Sequence, residues 1–422
     1  MMRDSAVRSE PERNPRCRVP GTLGGASQIV RRCALIVAFA IGGCGGREAT
    51  TNAPVASAGA LASGTAEVRP SDSSEPSASA SFDPSQVPPG LIAYMRVDND
   101  KVERYFTVDS LGADEHALFE TQSCACIGWS ADGTQIWTVT ETETGLRYTT
   151  MDPDGSNRVM YTPDIPTLSL APGFGSRDGR HVVFFGWDET DPARQGIWVA
   201  NTDLTDLHQV TPVPEGVVGI DPIGMSADGS QVYFHGDLGP NSDNDFHHAG
   251  NVYVIDADGT GLRQLNPEDT KTEITGTGLS ANGGALAFTA WQAGSGEKGN
   301  ALFVVGPDGK AERVTEWTPG LWGAVWAPTG EWIATTQSFG SSPVPSLIRP
   351  DGTDLRAIST GGRSDSAFGP VWAGDGAHFL VRRGEFHRND LWIMDLDGQF
   401  VWQVTHKPGS HDVYAWQPGS DR

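Results

Sequence analysis

The feature that most constrains the fold is a turn that recurs at near-constant spacing. It reads Trp129-Ser130-Ala131-Asp132-Gly133, Gly175-Ser176-Arg177-Asp178-Gly179 and Met225-Ser226-Ala227-Asp228-Gly229. It continues as Leu279-Ser280-Ala281-Asn282-Gly283, Trp326-Ala327-Pro328-Thr329-Gly330 and Trp372-Ala373-Gly374-Asp375-Gly376. The closing glycines lie 46, 50, 54, 47 and 46 residues apart. A unit of this length, rich in turns, is the unit of a β-propeller: one blade cannot bury its own apolar faces, and stacked neighbours cover them.

Each unit reads as four strands. The first ends in the recurring turn, where Asp and Gly suit the positive φ of a tight hairpin. Short apolar runs follow, such as Val182-Val183-Phe184-Phe185 and then Ile197-Trp198-Val199. Near-continuous runs of β-branched and aromatic residues fit strands buried on both faces. A second turn, D-x-D-G, follows at Asp152–Gly155, Asp256–Gly259 and Asp395–Gly398. The fourth strand is more polar and ends near Thr (Gln209-Val210-Thr211, Arg313-Val314-Thr315, Gln403-Val404-Thr405), as an outer edge should.

The two ends set the blade count. Residues 91–121 supply strands two to four of a unit, and Val413-Tyr414-Ala415-Trp416 supplies a first strand alone. Joined, they make one blade. Six complete units and this composite predict an all-β, seven-bladed propeller of four-stranded blades, closed by its N- and C-terminal strands.

The repeat resembles that of the TolB propeller family, with its W-S-P-D-G turn, I-A-F strand, I-W-V-M-D strand with D-G, and R-Q-L-T strand. The resemblance covers residues 90–422. It implies the fold, and it implies a non-enzymatic binding or scaffolding role in the cell envelope. The chain departs from that family in having no folded domain ahead of the propeller and in an expected lipid anchor, so the family's partners are not carried over.

That anchor is read from the N-terminus. Arg31-Arg32 precede a short apolar run, Cys33 to Ala40, then Ile41-Gly42-Gly43-Cys44. A basic step, about ten apolar residues and small residues before a cut make a secretory signal, too short for a span of about 20 residues. The last four residues resemble the bacterial lipobox, which implies lipidation of Cys44. The expected organisation is a lipoprotein signal peptide over 1–43, an Ala/Ser/Pro-rich disordered tether over 44–89, and the propeller over 90–422. Such a tether has an r.m.s. span of roughly 35–40 Å. The expected location is exported and membrane-anchored, facing the periplasm or the cell exterior.

Net charge is −23, and loss of residues 1–43 takes it to −27. That charge repels phosphate backbones, which excludes nucleic acid. An envelope protein or a glycan is the expected partner, with the chain a monomer and no required cofactor.

In up-and-down blades, the short S-x-D-G and D-x-D-G turns share one face. The longer loops and the links between blades share the other, where a ligand face is expected. Its candidates are Trp187, Trp291, Trp317, Trp322, Arg383 and His387. The longest insertion carries His235, Asp237, Asp243, Asp245, His247 and His248, a donor set for a divalent metal or simply a solvated loop. Cys124 and Cys126 read equally as a disulfide or as free thiols outside the cytoplasm.

The D-x-D-G turns lack the further ligands of a calcium loop. The Gly-x-Ser-x-Asp segments miss the last glycine of a nucleophile elbow. No catalytic residue is assigned. The alternative to a binding module is a metal-dependent polysaccharide lyase, because one lyase family uses a similar ring. That resemblance implies several histidine ligands at the channel, and the sequence alone does not place His181, His235, His378 or His387 there.

Overall fold

The computed structural model describes residues 84–98, 100–121, 127–142, 145–172, 175–212, 220–236, 238, 250–280, 283–292, 299–306, 309–339, 342–358, 371–385 and 388–418. Cys44, the signal, most of the tether, Cys124, Cys126, Asp237, Asp243, Asp245, His247, His248 and His387 lie outside the described residues. The described chain forms seven antiparallel four-stranded sheets, each a blade, together with two single-turn 3₁₀ segments. The expected seven-bladed propeller is the fold observed.

Blade I is the composite. Ser410–Trp416 pairs with Leu91–Val97, which pairs with Glu103–Asp109 and then His116–Thr121. Ile92 lies opposite Trp416 and Val97 opposite Ser410, so the two chain ends meet along a full strand. The backbone N–H of Gln417 donates to the Leu91 carbonyl at 2.8 Å, and the Gln417 amide donates to Gly133 of blade II at 2.7 Å. Blades II to VII follow in chain order from Ile127 to Gln403.

The first strands of blades IV, V and VI touch in turn, as do those of VII, I and II, which places them at the centre of the ring. They run from the face of the long loops to the face of the short turns. The core lies between the sheets, with Phe184, Phe234, Phe288 and Phe379 fully buried at related positions of the second strands. Val87, inside the segment read as tether, is buried against this core.

The fourth strands are short, and their ending explains the recurrent Val-Thr. The N–H of Val314 donates to the Leu302 carbonyl at 2.9 Å, and the Leu302 N–H donates to Thr315 Oγ1 at 2.9 Å. Val404 and Thr405 grip Leu391 in the same way, at 2.8 and 2.9 Å. In blade IV, Leu265 and Asn266 do so for Val252. The hydroxyl or amide takes the place of a backbone carbonyl where the ladder stops.

Candidate functional site

The short-turn face is held by its own motif. In Ser226-Ala227-Asp228-Gly229, the Ser226 hydroxyl donates to Asp228 at 2.7 Å and accepts from the Gln231 N–H at 2.9 Å. Asp228 also accepts from the Ser230 N–H at 3.0 Å, and Gly229 donates to the Ser226 carbonyl at 2.9 Å with φ +71°. The Ser226 hydroxyl leads the hydrogen bonds that pull the Asp228 carboxyl down to about 2. Ser130/Asp132 and Ser176/Asp178 repeat the network. The serines and carboxylates of the repeat therefore serve the turn.

The opposite face carries the candidate site. Trp322 is the second residue of the first strand of blade VI, Leu321–Trp326, so it stands where the central channel opens among the long loops. Its side chain is 41% exposed. The strand around it is fixed on both sides. Leu321 donates to the Thr318 carbonyl at 3.3 Å and its own carbonyl accepts from Asn300 Nδ2 at 2.7 Å; the Trp322 carbonyl accepts from Thr335 Oγ1 at 2.9 Å. A register shift between Trp322 and Val325 marks a bulge, and bulges re-aim side chains. Gly323 at φ +79° has no atom within 4 Å of where a Cβ would stand, so the bulge opens onto free space. Other inner strands bring Asp221, Lys271 and Asp412 to the same end of the channel. Asp412 is paired with Arg382.

Among the remaining described ligand-face candidates, three are held in packing contacts of their own. Trp187 is buried and stacks on Phe185 at 5.9 Å between centroids. Trp317 packs edge-on against Phe303 at 6.2 Å with the Arg313 guanidinium 5.3 Å from its ring. Arg383 lies 4.1 Å from the Phe400 centroid and 5.0 Å from that of Trp392, a clip within blade VII. Trp291 is half-buried at the loop end of blade V, opposite Lys271 and Asn300. Trp187, Trp317 and Arg383 thus serve packing, each against an aromatic ring of its own blade.

Asp188 on this face is a residue whose role the sequence did not show. It accepts from Thr167 Oγ1 at 2.7 Å, Thr190 N at 2.9 Å, Thr190 Oγ1 at 2.6 Å and Arg194 Nη1 at 2.6 Å. Burial pushes its carboxyl up, but these donors together outweigh burial and hold it far below the usual carboxylate range. The network ties the link entering blade III to the loop after Trp187.

The three described histidines named for a lyase, His181, His235 and His378, do not converge. His235 is buried near the loop end of blade IV, its Nε2 3.0 Å from the Thr272 carbonyl oxygen. His181 and His378 begin second strands at the opposite face, and His378 Nδ1 pairs with Asp375 at 2.7 Å. Of the six metal candidates only His235 is among the described residues, and its Nε2 is committed to that carbonyl. Among the described residues no three metal-binding side chains gather.

The ring has solved counterparts at low identity. TolB from Acinetobacter baumannii is 16% identical over 78% of this chain and 67% of that one, with a TM-score of 0.48. An oligogalacturonate lyase in complex with manganese is 13% identical over 77% of this chain and 86% of that one, with a TM-score of 0.55. This chain has a seven-bladed β-propeller fold, the fold it shares with that lyase. Puromycin hydrolase is 14% identical over 76% of this chain, with a TM-score of 0.53, and only 54% of its length is covered. These identities speak to fold alone, and one fold hosts unrelated functions. No family model and no curated relative matches the sequence.

Proposed function

We propose that the chain is a cell-envelope lipoprotein, anchored through Cys44, whose propeller is a non-enzymatic binding module for a protein or a glycan. The observation that carries this reading is Trp322: a large exposed indole on a rigid inner strand, at the channel mouth, on the face of the long loops. Aromatic side chains held in this way anchor protein interfaces. Among the described residues, the repeated serines and carboxylates of the turns, with His235 and His378, are engaged in turns and strand contacts. Lipidation and location rest on the sequence pattern around Cys44.

The lyase reading draws on the shared ring with oligogalacturonate lyase. An oligogalacturonate is a polyanion, and a net charge of −23 opposes its approach. Metal quantification on the purified chain separates the two readings. Substoichiometric metal after dialysis is expected, and one tightly held transition ion per chain overturns the non-enzymatic reading. For the anchor, Cys44→Ala should release the exported protein from membranes; continued membrane fractionation of that variant contradicts lipidation at this residue.

A further inference from the structure

The seam that closes the ring contains a histidine placed to read pH. His411 lies in the closing strand Ser410–Trp416 and is 0% exposed. Its Nδ1 is 2.5 Å from the Asn389 carbonyl oxygen of blade VII, and the Asn389 side-chain oxygen accepts the His411 N–H at 2.9 Å. A carbonyl oxygen only accepts, so Nδ1 carries the proton and the neutral ring leaves a lone pair on Nε2. That Nε2 is buried and has no hydrogen-bond partner among the described residues.

The surroundings come from three elements. From the N-terminal strand Leu91–Val97, Arg96 is the register partner of His411, and the Tyr94 ring lies 5.8 Å away. Arg96 is itself held by Asp98 at 3.1 Å and Glu115 at 3.7 Å, and Glu115 also binds Lys407 and the Tyr94 hydroxyl. From blade VII come Asp390, 3.9 Å from Nδ1, and Arg382, paired with Asp412 of the closing strand. Protonation of His411 puts a second cation beside Arg96 and a buried N–H on Nε2 that lacks an acceptor. Asp390 offsets part of this from the Nδ1 side only, while Thr405 Oγ1 already donates to it at 3.1 Å.

We propose that His411 makes closure of the ring acid-sensitive: protonation releases the strand Ser410–Trp416 from Leu91–Val97 and from blade VII while the other blades stay folded. The sign follows from burial. Burial first, and then the Arg96 charge, lower the affinity of the imidazole for a proton, while Asn389, Asp390 and Asp98 raise it; the balance lies below the ordinary value of 6.5. The neutral ring is therefore favoured in the closed state. Its contribution is fully present above 6.5 and is lost as pH falls through the lower folded value. The device joins the two chain ends, so it acts on the one junction of the propeller that no covalent hairpin or link secures.

Hydrogen exchange of the full chain, followed peptide by peptide at about pH 7.5 and about pH 5 and corrected for intrinsic rates, tests this. The expected result is loss of protection in 410–416 and 91–97 at the lower pH, ahead of the inner strand 270–279. His411→Gln keeps a donor towards Asn389 and cannot be protonated in this range, and should hold its protection at both values. Equal protection of the closing strands at both pH values in the unaltered chain overturns the proposal. So does simultaneous loss in all blades, or the same acid loss in His411→Gln.

Discussion

Asp188 shows how much of this surface is decided by single side chains. Its carboxylate is fully buried and gathers donors from Thr167, Thr190 and Arg194, so one residue fixes the link into blade III and the loop that follows Trp187. Asp188→Ala leaves those donors without their acceptor and should cost about 2–3 kcal/mol, the Arg194 part being reduced by its partial exposure. Urea unfolding with an unchanged m-value checks this. Stability from Asp188 is present above the ordinary carboxylate value and lost only as pH falls through its depressed folded value. In the sequence, Trp187-Asp188-Glu189 reads as an aromatic beside charges, a surface to bind something. The fate of Asp188 depends on Thr167, 21 residues earlier, and that of Trp187 on burial between blades. Local pattern does not carry such information. His235 is the same case, since its acceptor Thr272 belongs to the next blade.

At the scale of the element, far more was legible, because turns and strand endings are local. The Ser-x-Asp-Gly turn is closed by bonds within six residues, and its glycine sits at positive φ, so the motif spells out its own geometry. The Val-Thr ending was visible as a recurrent pair; its reason appeared only with the third strand beside it. The structure ends the paired fourth strand of blade VII at Gln403, with Val404 and Thr405 clasping Leu391 beyond it. Thr405→Val preserves shape but removes the acceptor for the buried Leu391 N–H. It should lower stability by about 1–2 kcal/mol and raise exchange of the Leu391 amide in particular. An effect spread evenly over blade VII would argue against that role.

At the scale of the whole molecule, the count of seven followed from two incomplete ends that complete each other, and the ring is closed as that pairing requires. What the sequence could not rank was the set of aromatic and cationic candidates on the loop face. Trp187, Trp317 and Arg383 are absorbed by packing, and Trp322 stands out through a bulge and an open Gly323 that no spacing rule reveals. The proposed function puts binding at the channel mouth, around Trp322. A photo-reactive amino acid placed at Trp322, and in parallel at Met160 on the exposed outer edge of blade II, tests it directly in intact cells. Position 322 should give a discrete protein or glycan adduct and position 160 none. An adduct from 160 with none from 322, or no adduct from either, would contradict binding at the channel mouth.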